Sequence, residues 1–455
     1  MSSHGDDHEQ DATREAQARP LPASGIGTGQ AFYAVFVLFG INTMNFYDRQ
    51  VVGAVGEVVR EEWKLNDRQL IGLTIAFVLL YALVGLPLGH WADVGRRKVI
   101  LAAGILLWSV MTALSGLACG FVSLFVLRLA VGVGEASCAP AANSLLGDLF
   151  PAQQRARAIA VFMFGLPLGL GLSYVVSGLI AQSLGWREAL FVAGAPGLLL
   201  GVLALWLPEP PRGATESTKQ PSELPEKGRR ESALLAVLRI PTMRWIIVSG
   251  ALLNLNMYAL GAFLTSFVKR YHGLDVAQAN LLIGPIYGFG GGLGMLGGGW
   301  LCDRLVKRRV SGRLELAALA MALAAPSLWL ALQAPPGETR VFALWLLPGC
   351  LGLYFYYSAV YATIQDVVEP RMRGMAMAVY FFVFYVFMVI GLFGFGWLSD
   401  HLAGQALDGG ASADAARAVG LHGAMQTVPL ITLVLVGVLL AGSRTVAADH
   451  ERRGK

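Results

Sequence analysis

The chain has 455 residues, of which 55% are hydrophobic and only 14% charged, with a formal net charge of +5. Soluble domains carry about 25% charged residues, so the composition sets aside a soluble enzyme and points to a polytopic membrane protein. The basic residues are scattered through short loops, which argues against nucleic-acid binding.

Residues 1–29 are polar and lack the apolar core of a signal peptide. They read as a disordered cytosolic tail. Twelve apolar segments of spanning length follow, at about 31–58, 69–92, 98–119, 121–148, 156–183, 187–207, 243–268, 277–302, 313–333, 340–367, 374–399 and 420–442. The first six make an N-terminal bundle over 30–207, and the last six a C-terminal bundle over 242–443. The polar stretch 208–241, with Lys219, Lys227, Arg229 and Arg230, reads as a cytoplasmic linker, and 444–455 as a second cytosolic tail. Basic residues concentrate in loops on one side, including Arg96-Arg97-Lys98, Arg155 and Arg157, Arg304 with Lys307-Arg308-Arg309, and Arg371 and Arg373. The positive-inside rule then places both termini and the linker in the cytoplasm of an inner (plasma) membrane.

The two halves repeat. Gly89-x-x-x-Asp93 before a basic loop recurs as Gly299-x-x-x-Asp303, 210 residues later. Asp148 and Arg155 recur as Asp366 and Arg373, 218 residues later. Parallel repeats with a site between them at mid-membrane are a transporter plan. The four cysteines, Cys119, Cys138, Cys302 and Cys350, show no metal spacing and read as packing residues. No metal or cofactor is expected. No phosphate-cradling loop or nucleophile elbow is visible, so neither an enzyme nor an ATP-driven pump is expected, and no residue is assigned a catalytic role.

The repeated Gly-x-x-x-Asp with its basic loop, Arg128 to Gly134, the fifth segment with Gly165, Pro167, Gly169 and Gly171, and Gly185-Trp186-Arg187 resemble the major facilitator superfamily. The first loop departs from the usual pattern, with Val94 after Asp93 and a glycine one position early at Gly95. Asn45-Phe-Tyr-Asp48-Arg49, Val131-Gly-Val-Gly-Glu135-Ala-Ser137, Asp148-Leu-Phe-Pro-x-x-x-Arg155 and Glu209-Pro-Pro-Arg-Gly-Ala214 resemble the spinster branch more narrowly. The resemblance implies an all-α major facilitator fold of two pseudo-symmetric six-helix halves, and export of lysophospholipids or sphingosine-1-phosphate-like lipids. It also implies functional weight for the acid on the first helix and for the Arg and Glu on the fourth. A cytoplasmic gate at Asp93, Arg97, Arg155, Asp303 and Arg373 is implied in the same way.

Within the spans, Arg49, Arg128, Asp48 and Glu135 are the charged residues that no loop accounts for. Two positive and two negative charges make a neutral set, as a low-dielectric site requires. Such residues mark substrate or proton paths, or fix helix packing. Arg128 and Glu135 lie two turns apart, about 10 Å along one helix face. Asp48 and Glu135 are expected to compete for Arg128, with Arg49 completing the network and Asn45 on the face of Arg49. An anionic headgroup would pair with Arg128, and the released carboxylates, Asp48 and Glu135, would take protons.

The second half offers aromatic residues instead, among them Tyr357, Tyr361 and Phe384. A cavity charged on one side and apolar on the other suits an amphipathic substrate, with Arg128, Arg49, Asn45, Tyr357, Tyr361 and Phe384 as its contacts. The reading is a proton-coupled lysolipid transporter working as a monomer in the bilayer. A symporter of small organic anions such as sugar acids, and a non-transporting receptor or scaffold, stay open.

Overall fold

A computed structural model describes residues 27–150, 152–211, 235–306, 309–368 and 372–453. These are helical nearly throughout, with no strand among the described residues. The first half contains α1 (Thr28–Trp63), α2 (Asp67–Val94), α3 (Arg97–Ser115), α4 (Phe121–Glu135), α5 (Cys138–Leu149), α6 (Ala152–Ser183) and α7 (Trp186–Ala204). The second contains α8 (Pro241–His272), α9 (Val276–Pro285), a π turn (Ile286–Gly290), α10 (Gly291–Val306), α11 (Gly312–Leu332), α12 (Thr339–Val367), α13 (Arg373–Asp408), α14 (Ala413–Met425) and α15 (Thr427–Arg453). Eleven spans among the described residues are long and apolar enough to cross a membrane. α1 completes the set at 36 residues, about 54 Å. It is less apolar because Asn42, Asn45, Asp48, Gln50 and Glu57 are buried on it, against other helices.

Three spans are interrupted, the first two beside a proline. The fourth crossing breaks at Ala136 and Ser137, between α4 and α5. Pro140 has no N–H to continue the ladder there, and Ser137 Oγ bonds back to Gly134 O at 2.9 Å. The eighth crossing passes through the π turn just after Pro285. The twelfth is split at Gln426 and continues helical to Arg453, so the stretch read as a C-terminal tail is largely helix.

Glycines set the helix spacing where backbones nearly touch. A Cβ at Gly169 would meet the carbonyl oxygen of Thr43 at 2.2 Å, which is how closely α6 lies on α1. A Cβ at Gly294 would meet Leu351 O at 2.4 Å, the same device between α10 and α12. Small residues are what allow such approach between membrane helices, where apolar burial does not itself favour association.

On the face that carries the chain ends, each half is tied by the same pair. Arg97 at the start of α3 bonds Asp148 near the end of α5, and Arg313 at the start of α11 bonds Asp366 near the end of α12. The repeat of Asp148 and Asp366 is thus structural as well as sequential.

The halves meet at the opposite face. Arg270 on α8 reaches across to Glu57 on α1 at 2.7 Å and Asp67 on α2 at 2.8 Å. Asp67 also accepts a hydrogen bond from Ser399 on α13, at 2.8 Å. Asp400 receives the backbone N–H groups of Asp67 and Arg68 at 3.3 and 3.4 Å, where an α2 N-terminus favours negative charge. Lys269 pairs with Glu61 at 2.7 Å. Below this clasp Asn280 Nδ2 donates to Ala54 O at 2.9 Å, joining α9 to α1.

Replacing Gly169 by Val is expected to lower stability by about 1–3 kcal/mol through overpacking. Gly437, with nothing within 4 Å of a built Cβ, should accept Ala without loss. Thermal unfolding in detergent compares the two.

Candidate functional site

The site begins with the glycines of α4. A Cβ at Gly132 would meet Phe77 O on α2 at 2.2 Å, and one at Gly134 would meet Gly104 O on α3 at 2.7 Å. α4 is therefore drawn against two neighbours, and the charges that flank these glycines are buried with it. Arg128 is 1% exposed and Glu135 0%. Glu135 is also the last residue of α4, where the helix end carries partial negative charge. A carboxylate there needs a cation.

Arg49 supplies it. Its Nε lies 2.8 Å from Glu135 Oε2. Asn45, one turn earlier on α1, donates to the same oxygen at 2.9 Å. The Arg49 guanidinium is also stacked among rings, with its carbon 4.5 Å from the Tyr81 centroid, 5.0 Å from Phe46 and 5.2 Å from Phe77. Rings around a partly desolvated arginine add cation–π attraction.

Asp48 faces elsewhere, about 100° around α1 from Arg49. Arg128 Nη2 donates to the Asp48 backbone carbonyl at 3.0 Å. Both oxygens of the fully buried Asp48 carboxyl have no hydrogen-bond partner among the described residues, nor do Nε and Nη1 of Arg128 or Oε1 of Glu135. The expected competition of Asp48 and Glu135 for Arg128 is therefore not the arrangement found. Glu135 is two turns from Arg128 on the same helix, too far to pair, and the neighbouring helix presents Arg49 to it. Phe77 lies within reach of both guanidinium groups, 5.7 Å from that of Arg128.

A cavity of about 90 Å³ adjoins Arg49. Phe46, Arg49, Gln50 and Thr74 line it from the first half, and Met257, Tyr258, Tyr287, Tyr354 and Tyr357 from the second. Of the expected contacts, Arg49 and Tyr357 line this space. Asn45 sits behind Arg49, and Arg128 is buried away from the lining. Tyr361 and Phe384 belong to an aromatic row leading from it. Tyr357 packs on Tyr361 at 5.7 Å, Tyr361 on Tyr380 at 5.9 Å and Tyr380 on Phe384 at 5.6 Å. Tyr385 next to Phe384 then meets Tyr81 across the halves, at 5.4 Å.

Of the expected gate residues, Arg97 is described. It is buried, and besides Asp148 it binds Ser144 Oγ at 3.1 Å and Pro210 O at 2.6 Å, while its N–H meets Glu209 at 2.6 Å. These contacts stay within the first half and the start of the linker. The side chains of Asp93, Arg155, Asp303 and Arg373 lie outside the described residues.

The sequence reading missed Gln50 and the clasp of Glu57, Asp67 and Arg270. Gln50 Nε2 bonds Gly261 O at 2.6 Å and Tyr174 Oη at 2.9 Å, tying the halves beside the cavity. Its signal was a carboxamide next to Arg49 in an apolar run. Glu57 and Arg270 fall at span ends, where charge is ordinary.

Comparison with known proteins agrees with this architecture. A family profile described as Major Facilitator Superfamily matches residues 38–404. An MFS-type efflux pump of Mycolicibacterium smegmatis is 30% identical over 406 residues, 89% of this chain and 92% of that protein. Protein spinster homolog 3 of Homo sapiens is 30% identical, over 77% of this chain and 71% of its own length. A crystal structure of a bacterial homolog of the human lysosomal transporter Spinster, inward-facing and unoccupied, superposes with a TM-score of 0.80. It is 25% identical and covers 93% of this chain and 99% of that one.

Replacing Arg49 by Gln leaves Glu135 buried with no cation. The expected cost is about 3–5 kcal/mol, and adding Glu135→Gln should recover most of it. A double-mutant cycle on thermal unfolding reads the coupling.

Proposed function

The chain belongs to the Major Facilitator Superfamily, as a multi-pass membrane transporter of spinster type, and we propose that it moves a lysolipid with an anionic headgroup by proton-coupled alternating access. The observation that carries this is a neutral set of two arginines and two acids beside a cavity whose far wall is aromatic and apolar. Both termini and the linker are assigned to the cytoplasmic side by the loop charges.

Arg49 is the first contact for the headgroup, since it reaches the cavity while its Nε holds Glu135. A phosphate accepting hydrogen bonds from Arg49 competes with that carboxylate. Glu135, losing its cation inside a low dielectric, then favours its protonated form. Arg128 and Asp48 form the deeper pair, with Asp48 the second proton acceptor. In reverse, deprotonation of Glu135 reclaims Arg49 and expels the anion. The acyl or sphingoid tail lies along Met257, Tyr357 and the aromatic row beyond. The described conformation, clasped by Arg270 on the face opposite the termini, is the inward-facing one, and the superposition on an inward-facing relative supports that assignment. Outward opening requires Arg270 to release Glu57 and Asp67.

The test is flux into proteoliposomes of defined pH gradient. The intact protein should move lysophosphatidate faster with the gradient, and Asp48→Asn should weaken the gradient dependence. Unchanged dependence would sink the coupling role. Lengthening the tail of an alkyl phosphate from four to twelve carbons should tighten binding by at least about a hundredfold. Equal affinities would sink the tail site, and flux of small organic anions alone would favour a symporter of that class.

A further inference from the structure

The aromatic wall of the cavity is not uniformly apolar. Tyr287 in the π turn and Tyr354 on α12 both line the cavity. They are 2% and 0% exposed, and both hydroxyls lack a hydrogen-bond partner among the described residues. Tyr380 Oη is also unpaired among the described residues, but Tyr380 does not line the cavity, and three other buried tyrosines find partners. Tyr47 bonds Ser177 at 2.8 Å, Tyr174 bonds Gly261 O at 3.2 Å and Tyr356 bonds Ser249 at 2.7 Å. The two rings meet edge to face at 6.3 Å, so the two side chains form one patch of the lining. Tyr174 packs on Tyr287 from behind at 5.4 Å and helps fix its ring.

We propose that Tyr287 and Tyr354 form a second polar subsite, which hydrogen-bonds a neutral oxygen function of the substrate. That function is a hydroxyl or an ester or amide carbonyl, held apart from the anion at Arg49. The inference rests on the reading that this cavity takes an anionic amphiphile. A phenol donates one hydrogen bond, accepts others and carries no charge at neutral pH. The second-half residues of the lining (Met257, Tyr258, Gly261, Ala262, Tyr287, Tyr354 and Tyr357) include no cation. This wall therefore suits a neutral oxygen and not a second anionic group. Leaving buried hydroxyls unpaired is unfavourable, and a ligand that pairs them is selected over one that does not. The subsite thus separates a lysophospholipid or sphingoid phosphate, with oxygens along its backbone, from a plain alkyl phosphate of the same length.

The experiment measures binding of dodecyl phosphate and of 1-dodecanoyl lysophosphatidate to the purified full chain, alongside melting temperatures. The wild type should bind the lysophosphatidate about tenfold more tightly, two modest hydrogen bonds' worth. The double variant Tyr287→Phe, Tyr354→Phe should bind both probes alike. Its affinity for dodecyl phosphate should be unchanged and its melting temperature no lower, since only unpaired hydroxyls are removed. Each single variant should lose about threefold of the preference, which serves if the double variant does not fold. Equal affinities in the wild type, or variants that weaken both probes together, overturn the subsite and leave the cavity reading standing. Failure of the wild type to bind either probe overturns the cavity reading and the subsite with it.

Discussion

A charge in a low-dielectric interior has to be answered on the spot, and the pairing of Arg49 with Glu135 is where this molecule answers it. Glu135 ends a helix, which adds the helix's own partial negative charge to the carboxylate. Arg49 and Asn45 converge on one of its oxygens. That requirement fixes the turn of α1 against α4. The two glycines of α4 seat that helix on α2 and α3, which buries Glu135 and leaves α1 to supply its cation. The remaining pair is held more loosely, with Arg128 on the backbone of Asp48 and not on its carboxylate. One pair is closed and one is partly open, and the closed pair is the one beside the cavity.

The two halves divide the labour by chemistry. The first carries buried charge and a carboxamide, and the second carries rings, with four tyrosines in the cavity lining, Tyr258, Tyr287, Tyr354 and Tyr357. Closure at the end opposite the termini is ionic and is shared by α1, α2, α8 and α13. Ion pairs are well suited to an interface that must break and re-form, because they lose little packing when separated. Glycine contacts within each half are not of that kind. They lock backbone to backbone, as at Gly169 and Gly294, and keep each half rigid while the interface changes.

The hydropathy of the chain was enough to mark the spans, and the four charges that interrupt it were legible as a set. Their partners were not. Arg49 and Asp48 are adjacent in sequence but point about 100° apart, and which one meets α4 depends on how α1 is rotated in the bundle. Glu57, Asp67 and Arg270 went unread for another reason. Each sits near a span end, where a charged residue needs no special explanation, and only the fold brings the three together. Tyr287 and Tyr354 were legible as bulky residues, but a tyrosine in a sequence does not disclose whether its hydroxyl is paired. The break after Glu135 had a visible cue in Pro140, three residues into the following helix.

The π turn at Ile286–Gly290 changes the phase of the eighth crossing. A turn closed from i to i+5 holds about one residue more than an α turn. Every side chain after it is rotated by about 100° relative to an uninterrupted helix. α9 meets α6 and α1, while α10 meets α12, two directions that one straight helical stripe would not serve. Gly290 closes the turn, Gly291 and Gly294 follow it, and all three face α12. A single-residue deletion inside the turn would restore an ordinary helix and swing this glycine seam away from its neighbour. The extra residue works as a splice between two helical registers, absorbed within the membrane where no loop could carry it.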